Sequence, residues 1–225
     1  MKIDILTLFP EMFDVLNTSI IGRAKQKNIL DINVINIRDF SKDKHKHVDD
    51  YPYGGGNGMV IKPDVVYDAY SNIVHGLEYK PVVIYLTPKG KTLNNVIAKD
   101  IANLNHIILL CGHYEGIDQR VLDEIVDMEI SIGDYVLTGG ELPALVLIDT
   151  VCRFVDGVLK PGSSDNETFE NGMLEYPQYT RPEVFHNMKV PDVLLSGNHK
   201  EIEKWKNEQS IKLTQERRQD LLNNH

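Results

Sequence analysis

Two short apolar runs constrain this chain most. They are Val82-Val83-Ile84-Tyr85-Leu86 and His106-Ile107-Ile108-Leu109-Leu110-Cys111. Each is too short for a core helix and too continuous for a strand with one wet face, so each reads as a strand covered on both sides. Between them lies room for a crossover helix, with Thr92 as its expected cap and an end near Asn103. A short helix over 117–125 and a third strand over 126–131 follow. Upstream, 3–8 reads as a strand stopped by Pro10, 11–27 as a helix, and 32–37 as a half-buried strand by its alternation. Pro63 suits the first turn of a further helix. Strands alternating with helices at this spacing predict an α/β fold with a mostly parallel sheet flanked by helices.

The second half is less regular. Pro143 opens an apolar segment running to about Val155, interrupted by Asp149 and Arg153. It is apolar nearly all round, which predicts burial on more than one face, and a subunit interface is the favoured reason. Residues 160–167 are polar and rich in Pro, Gly and Ser, the composition of a linker. Residues 176–185 read as irregular. Asn198 and Glu201 form a capping-box pattern for a helix around Trp205, and a separate last helix is expected over 211–222. The expected organisation is one domain over 1–160, a flexible linker over 161–170 and a small, mainly helical domain over 171–225.

Composition excludes several classes. Hydrophobic residues make up 42% and charged residues 25%, the balance of a globular protein rather than a disordered one. No run approaches the roughly 18 apolar residues of a membrane span. Asp4 and Pro10-Glu11 interrupt what would be the apolar part of a signal peptide. Cys111 and Cys152 have no partner in CxxC spacing, and the eight histidines show no ligand spacing, so no metal site is expected. Together these features predict a cytoplasmic protein. The net charge of -9 argues against a non-specific nucleic-acid binder, although Arg38, Lys42, Lys44, His45, Lys46 and His47 form a local basic patch.

Two glycine patterns fail as nucleotide-binding loops. Gly90-Lys91-Thr92 follows a strand, but a phosphate-binding loop needs a further glycine where Tyr85 stands. The run Gly54-Gly55-Gly56-Asn57-Gly58 lacks the spacing of a dinucleotide fingerprint. Three other turns follow successive strands: Leu86-Thr87-Pro88, Gly112-His113-Tyr114-Glu115-Gly116, and the segment from Ile132 to Gly140. In open α/β sheets ligands bind outside the carboxyl ends of strands, where glycine lets the backbone come close. Such backbone groups can read an adenine edge, with Tyr135 and Leu137 adding apolar contact. Arg153, on a greasy segment, is placed to neutralise an anion, with an ion pair to Asp149 as the alternative. Asp165 and Glu167, in the linker, are solvated carboxylates or a general base ordered by substrate.

The chain resembles the bacterial tRNA (guanine-N1-)-methyltransferase family TrmD, of the SPOUT methyltransferases. The resemblance covers nearly the whole chain. It rests on Leu8-Phe9-Pro10-Glu11-Met12-Phe13, Tyr53-Gly54-Gly55-Gly56-Asn57-Gly58-Met59, the Gly112 turn continued through Ile117-Asp118-Gln119-Arg120, and the Ile132 segment continued through Glu141-Leu142-Pro143. Tyr176-Pro177-Gln178-Tyr179-Thr180-Arg181-Pro182 and Leu194-Leu195-Ser196-Gly197-Asn198-His199 extend it.

The resemblance implies a deep trefoil knot in the first domain that holds S-adenosyl-L-methionine in a bent conformation. The implied contacts are Tyr85, Leu86, Pro88, Gly112, Tyr114, Glu115, Gly116, Ser131, Ile132, Gly133, Asp134, Tyr135, Val136, Leu137, Gly139, Gly140 and Pro143. It implies a homodimer whose active sites are shared between subunits, and a magnesium requirement for which the sequence shows no cage. The substrate would be tRNA, methylated on N1 of guanine 37, with a guanine at position 36 preferred. Arg153 matches the family arginine. Glu167 stands where the family usually has Asp, so Glu167 is the first candidate base and Asp165 the second. That exchange leaves a catalytically impaired, donor-binding RNA-binding protein as the alternative. A nucleoside-triphosphate enzyme using Lys91 is a third reading.

Overall fold

The computed structural model describes residues 1–160, 167–169 and 172–222. The chain divides into two compact units, 1–160 and 161–225. The first unit opens with β1 (Lys2–Thr7), a 3₁₀ segment (Pro10–Asn17), α1 (Ser19–Gln26) and β2 (Asp31–Asn36). A short antiparallel pair, β3 (Asp49–Asp50) and β4 (Val60–Ile61), precedes α2 (Pro63–Val74). Then come β5 (Val82–Thr92), α3 (Asn95–Ala102), β6 (His106–Cys111), α4 (Gln119–Ile125), β7 (Met128–Ser131) and α5 (Glu141–Cys152). The main sheet has the order β2-β1-β6-β5-β7, and every pairing in it is parallel.

The central strand β6 is buried at all six positions. Ile107, Leu109 and Cys111 join the core beneath α1, α3 and α5, while Ile108 and Leu110 join the core beneath α2 and α4. Period-2 side chains thus feed two cores, which is why the run is apolar at both parities. The N-terminal end of β6 is tied to β1 by a buried pair, His106 Nε2 and Asp4 Oδ2 at 2.6 Å.

Several boundaries differ from the sequence reading. The segment 11–27 is not one helix, because Thr18 is extended and Ser19 has a positive φ between the two helical parts. β5 does not stop at Leu86. Residues 87–90 loop out, and Lys91 and Thr92 then pair with Ile130 and Ser131. Thr92 is therefore a strand residue, and the helix is capped by Asn94, whose side chain accepts a bond from the Ile97 N–H at 3.0 Å. α5 begins at Glu141, before Pro143, and shows one buried face (Ala144, Leu147, Ile148, Val151), while Leu142 and Val146 are exposed.

The second unit contains the hairpin β8 (Val184–Phe185) and β9 (Met188–Lys189), then α6 (Asp192–Leu195), α7 (His199–Arg217) and a 3₁₀ turn (Gln219–Leu222). The two C-terminal helices expected from sequence are one. Asn198 precedes it, but its side chain makes no capping bond. Thr214 anchors the helix internally: its buried hydroxyl donates to the Ser210 carbonyl at 2.7 Å and accepts from the Leu174 N–H at 2.9 Å. Among the described residues, no helix is long and apolar enough to cross a membrane.

Candidate functional site

The bulge at 87–90 within β5 and the turns that follow β6 and β7 come to the same edge of the parallel sheet. There the turns enclose a cleft of about 420 Å³. Of the residues singled out in sequence for donor contact, all but Asp134 line it. The walls are apolar at Leu86, Pro88, Leu137 and Pro143, and backbone supplies much of the rest.

Close main-chain packing shapes the cleft. The Gly140 N–H donates to the Gly112 carbonyl at 2.8 Å, and His113 bridges Gly139. A Cβ on Gly140 would lie 2.8 Å from Cys111 Cα and 2.9 Å from Gly112 N, so only a glycine lets this segment cross the end of β6. Gly133 has φ +148° and leaves room for the Tyr135 ring, which a Cβ would meet at 2.4 Å. Tyr114 holds φ +59°, a conformation costly for a residue with a side chain. Its ring lies edge-on to His113, which packs in turn on Phe9.

Four groups on or beside the lining have defined chemistry, Ser131 and Tyr85 on it and Glu141 and Cys111 next to it. The Ser131 hydroxyl donates to the Gly133 carbonyl at 3.0 Å and fixes the start of the third turn. Glu141 is buried in the first turn of α5, where the helix dipole favours a carboxylate, and accepts from the Thr7 hydroxyl at 2.9 Å. The Tyr85 phenol is pushed above its usual pKa by burial first and then by the charge of Glu129. Burial, with Glu141 adding to it, holds the Cys111 thiol far above the range of a thiolate nucleophile. The lining thus combines apolar side chains with main chain at Gly112, Gly116, Gly133, Gly139 and Gly140, and the neighbouring Cys111 thiol, which does not line it, is inert.

Sequence reasoning named Thr87, His113 and Thr138 only as members of the turns, and missed Lys89, Ile117, Gln119, Leu122, Glu129 and Ile130 on the lining. The turn members among them adjoin residues it had chosen. Glu129 depends on strand register, which no local pattern reveals. Lys91 is absent from the lining, so the nucleoside-triphosphate reading loses its one cation there.

The candidate catalytic groups lie in separate units. Arg153 follows α5 as its C-cap and is half-buried. Glu167 belongs to the second unit, where it lines a polar cavity of about 150 Å³ with Tyr176, Glu203 and Lys206. Asp165 and most of the expected linker lie outside the described residues. In the basic patch, Lys42 pairs with Asp68 at 2.8 Å and His47 with Asp43 at 2.9 Å, so part of its charge is met within the fold. Among the described residues no group of three His, Cys, Asp or Glu side chains is placed to hold a metal ion.

Residues 1–224 match the family described as tRNA (Guanine-1)-methyltransferase TrmD. A protein of Ruminiclostridium cellulolyticum named tRNA (guanine-N(1)-)-methyltransferase is 59% identical, over 99% of this chain and 97% of that protein. Proteins of the same name from Clostridioides difficile and Alkaliphilus oremlandii are each 56% identical, over 98% and 99% of this chain and 97% and 92% of their own lengths.

Proposed function

The chain belongs to the tRNA (guanine-1)-methyltransferase family TrmD, and from that premise we propose that it transfers a methyl group from S-adenosyl-L-methionine to N1 of guanine 37 in tRNA, with a guanine preferred at position 36. The observation that carries the reading is the meeting of the β5 bulge and the turns after β6 and β7 in one cleft of about 420 Å³. That size suits a nucleoside-sized ligand. Its backbone groups suit an adenine edge, and its glycines leave space that a Cβ would fill. The knot of the family is the proposed threading of these turns.

Guanine N1 carries a proton at neutral pH and must lose it to become nucleophilic. The Glu167 carboxylate is the proposed base that takes this proton. The N1 electron pair then forms a bond to the methyl carbon. The carbon–sulfur bond breaks, and its electrons stay on sulfur as a neutral thioether. Charge displaced onto guanine O6 is met by the Arg153 guanidinium, which is always protonated. The exposed Leu142 and Val146 on α5 and the exposed Val136 suit cover by a second copy, and we propose a homodimer with shared active sites in the cytoplasm. The family's magnesium requirement is proposed with the reaction.

Single-turnover transfer of labelled methyl to a tRNA transcript with guanines at 36 and 37 tests the reading. Label is expected in the RNA. Donor binding without transfer would favour the catalytically impaired RNA-binding protein instead.

A further inference from the structure

Glu129 lies on the edge strand β7, with its Cα opposite that of Tyr85 on β5. Partners across a sheet project from the same face, so its side chain stands beside the Tyr85 ring. The Tyr85 hydroxyl in turn reaches beneath the second turn, where a Cβ on Gly112 would lie 2.8 Å from it. Glu129 is half-buried and lines the cleft, and its carboxylate makes no hydrogen bond or ion pair with any described residue. Two other fully charged side chains line the cleft. Lys89 and Glu115 are both exposed, so solvent screens their charges. Of the three, Glu129 alone is half-buried, so its charge is the least screened and acts beside walls of lower dielectric.

We propose that Glu129 is a specificity residue of this cleft, whose carboxylate favours the cationic sulfonium of S-adenosyl-L-methionine over the neutral thioether of S-adenosylhomocysteine. The inference rests on the methyltransferase reading. The two ligands share adenine, ribose and the amino-acid end, so those contributions cancel in a comparison. The charge on sulfur does not cancel. Acting across a half-buried cleft it is worth roughly a factor of 5–20 in affinity. The same effect would loosen the product once the methyl group has left.

The test is calorimetric titration of wild type, Glu129→Gln and Glu129→Asp with each ligand, with a thermal melt of each variant. Glu129→Gln is expected to raise Kd for S-adenosyl-L-methionine about 5–20-fold and to leave S-adenosylhomocysteine within about twofold. Glu129→Asp is expected to keep the preference for the sulfonium, and added salt to reduce it. Equal weakening of both ligands, or no change in either, overturns the role of Glu129 while the methyltransferase reading stands. Wild-type protein that binds neither ligand overturns both.

Discussion

Gly140→Ala probes the backbone construction of the cleft directly. The new Cβ would sit 2.8 Å from Cys111 Cα and 2.9 Å from Gly112 N, whereas ordinary contacts begin near 3.4 Å. About 0.6 Å must be found, and both neighbours are main chain that cannot rotate away. β6 is held on both sides by β1 and β5, so the shift falls on the 139–140 segment and the Gly112 turn. Overpacking of this kind costs about 1–3 kcal/mol, or roughly 5- to 150-fold in Kd if the cleft carries the distortion. Calorimetry with S-adenosylhomocysteine measures it. Ile101→Ala, in the buried core under α3, is the control: it should lower the melting temperature and leave affinity unchanged. A Gly140→Ala protein that binds within about twofold of wild type would refute the reasoning.

Glu167→Gln should slow single-turnover methyl transfer about 10²–10⁴-fold without weakening donor binding. A near-normal rate would pass the role of base to Asp165 or water. Thr7→Val removes the donor to the buried Glu141 carboxylate and should cost about 1–3 kcal/mol in urea unfolding. An unchanged midpoint would mean that Glu141 has found another donor. Burial, with the charge of Asp149, pushes the Cys152 thiol up to about 12 in the folded state. The unfolded thiol releases its proton near pH 8.5, so between these values the native state binds the extra proton and stability falls as pH rises, by about 1.4 kcal/mol per unit. Comparing urea midpoints at pH 7.5 and 10 should show a smaller alkaline loss in Cys152→Ala than in wild type. Equal losses would contradict this.

The two central strands were legible because β6 feeds both cores and so leaves an apolar run that nothing else explains. The turns after β6 and β7 were legible because glycines follow the strands there, whereas Leu86-Thr87-Pro88 has no glycine and is a bulge within β5. The end of β5 was not. Gly90-Lys91-Thr92 reads locally as a turn into a helix, and only pairing with Ile130 and Ser131 makes it strand. That pairing joins residues far apart in sequence, where local propensity carries no information. α7 was read as two helices because its apolar positions are sparse. It runs on as one because no Gly or Pro lies between His199 and Arg217 to break it. Glu129 escaped notice for the same reason as the end of β5, since its place on the cleft follows from register with Tyr85.

Amide hydrogen exchange with and without S-adenosylhomocysteine tests most directly whether the β5 bulge and the turns after β6 and β7 form one donor site. Protection should rise together across 85–90, 111–116 and 131–140, with little change in α2 or β2. Protection confined to one turn, or appearing away from this edge of the sheet, would contradict it.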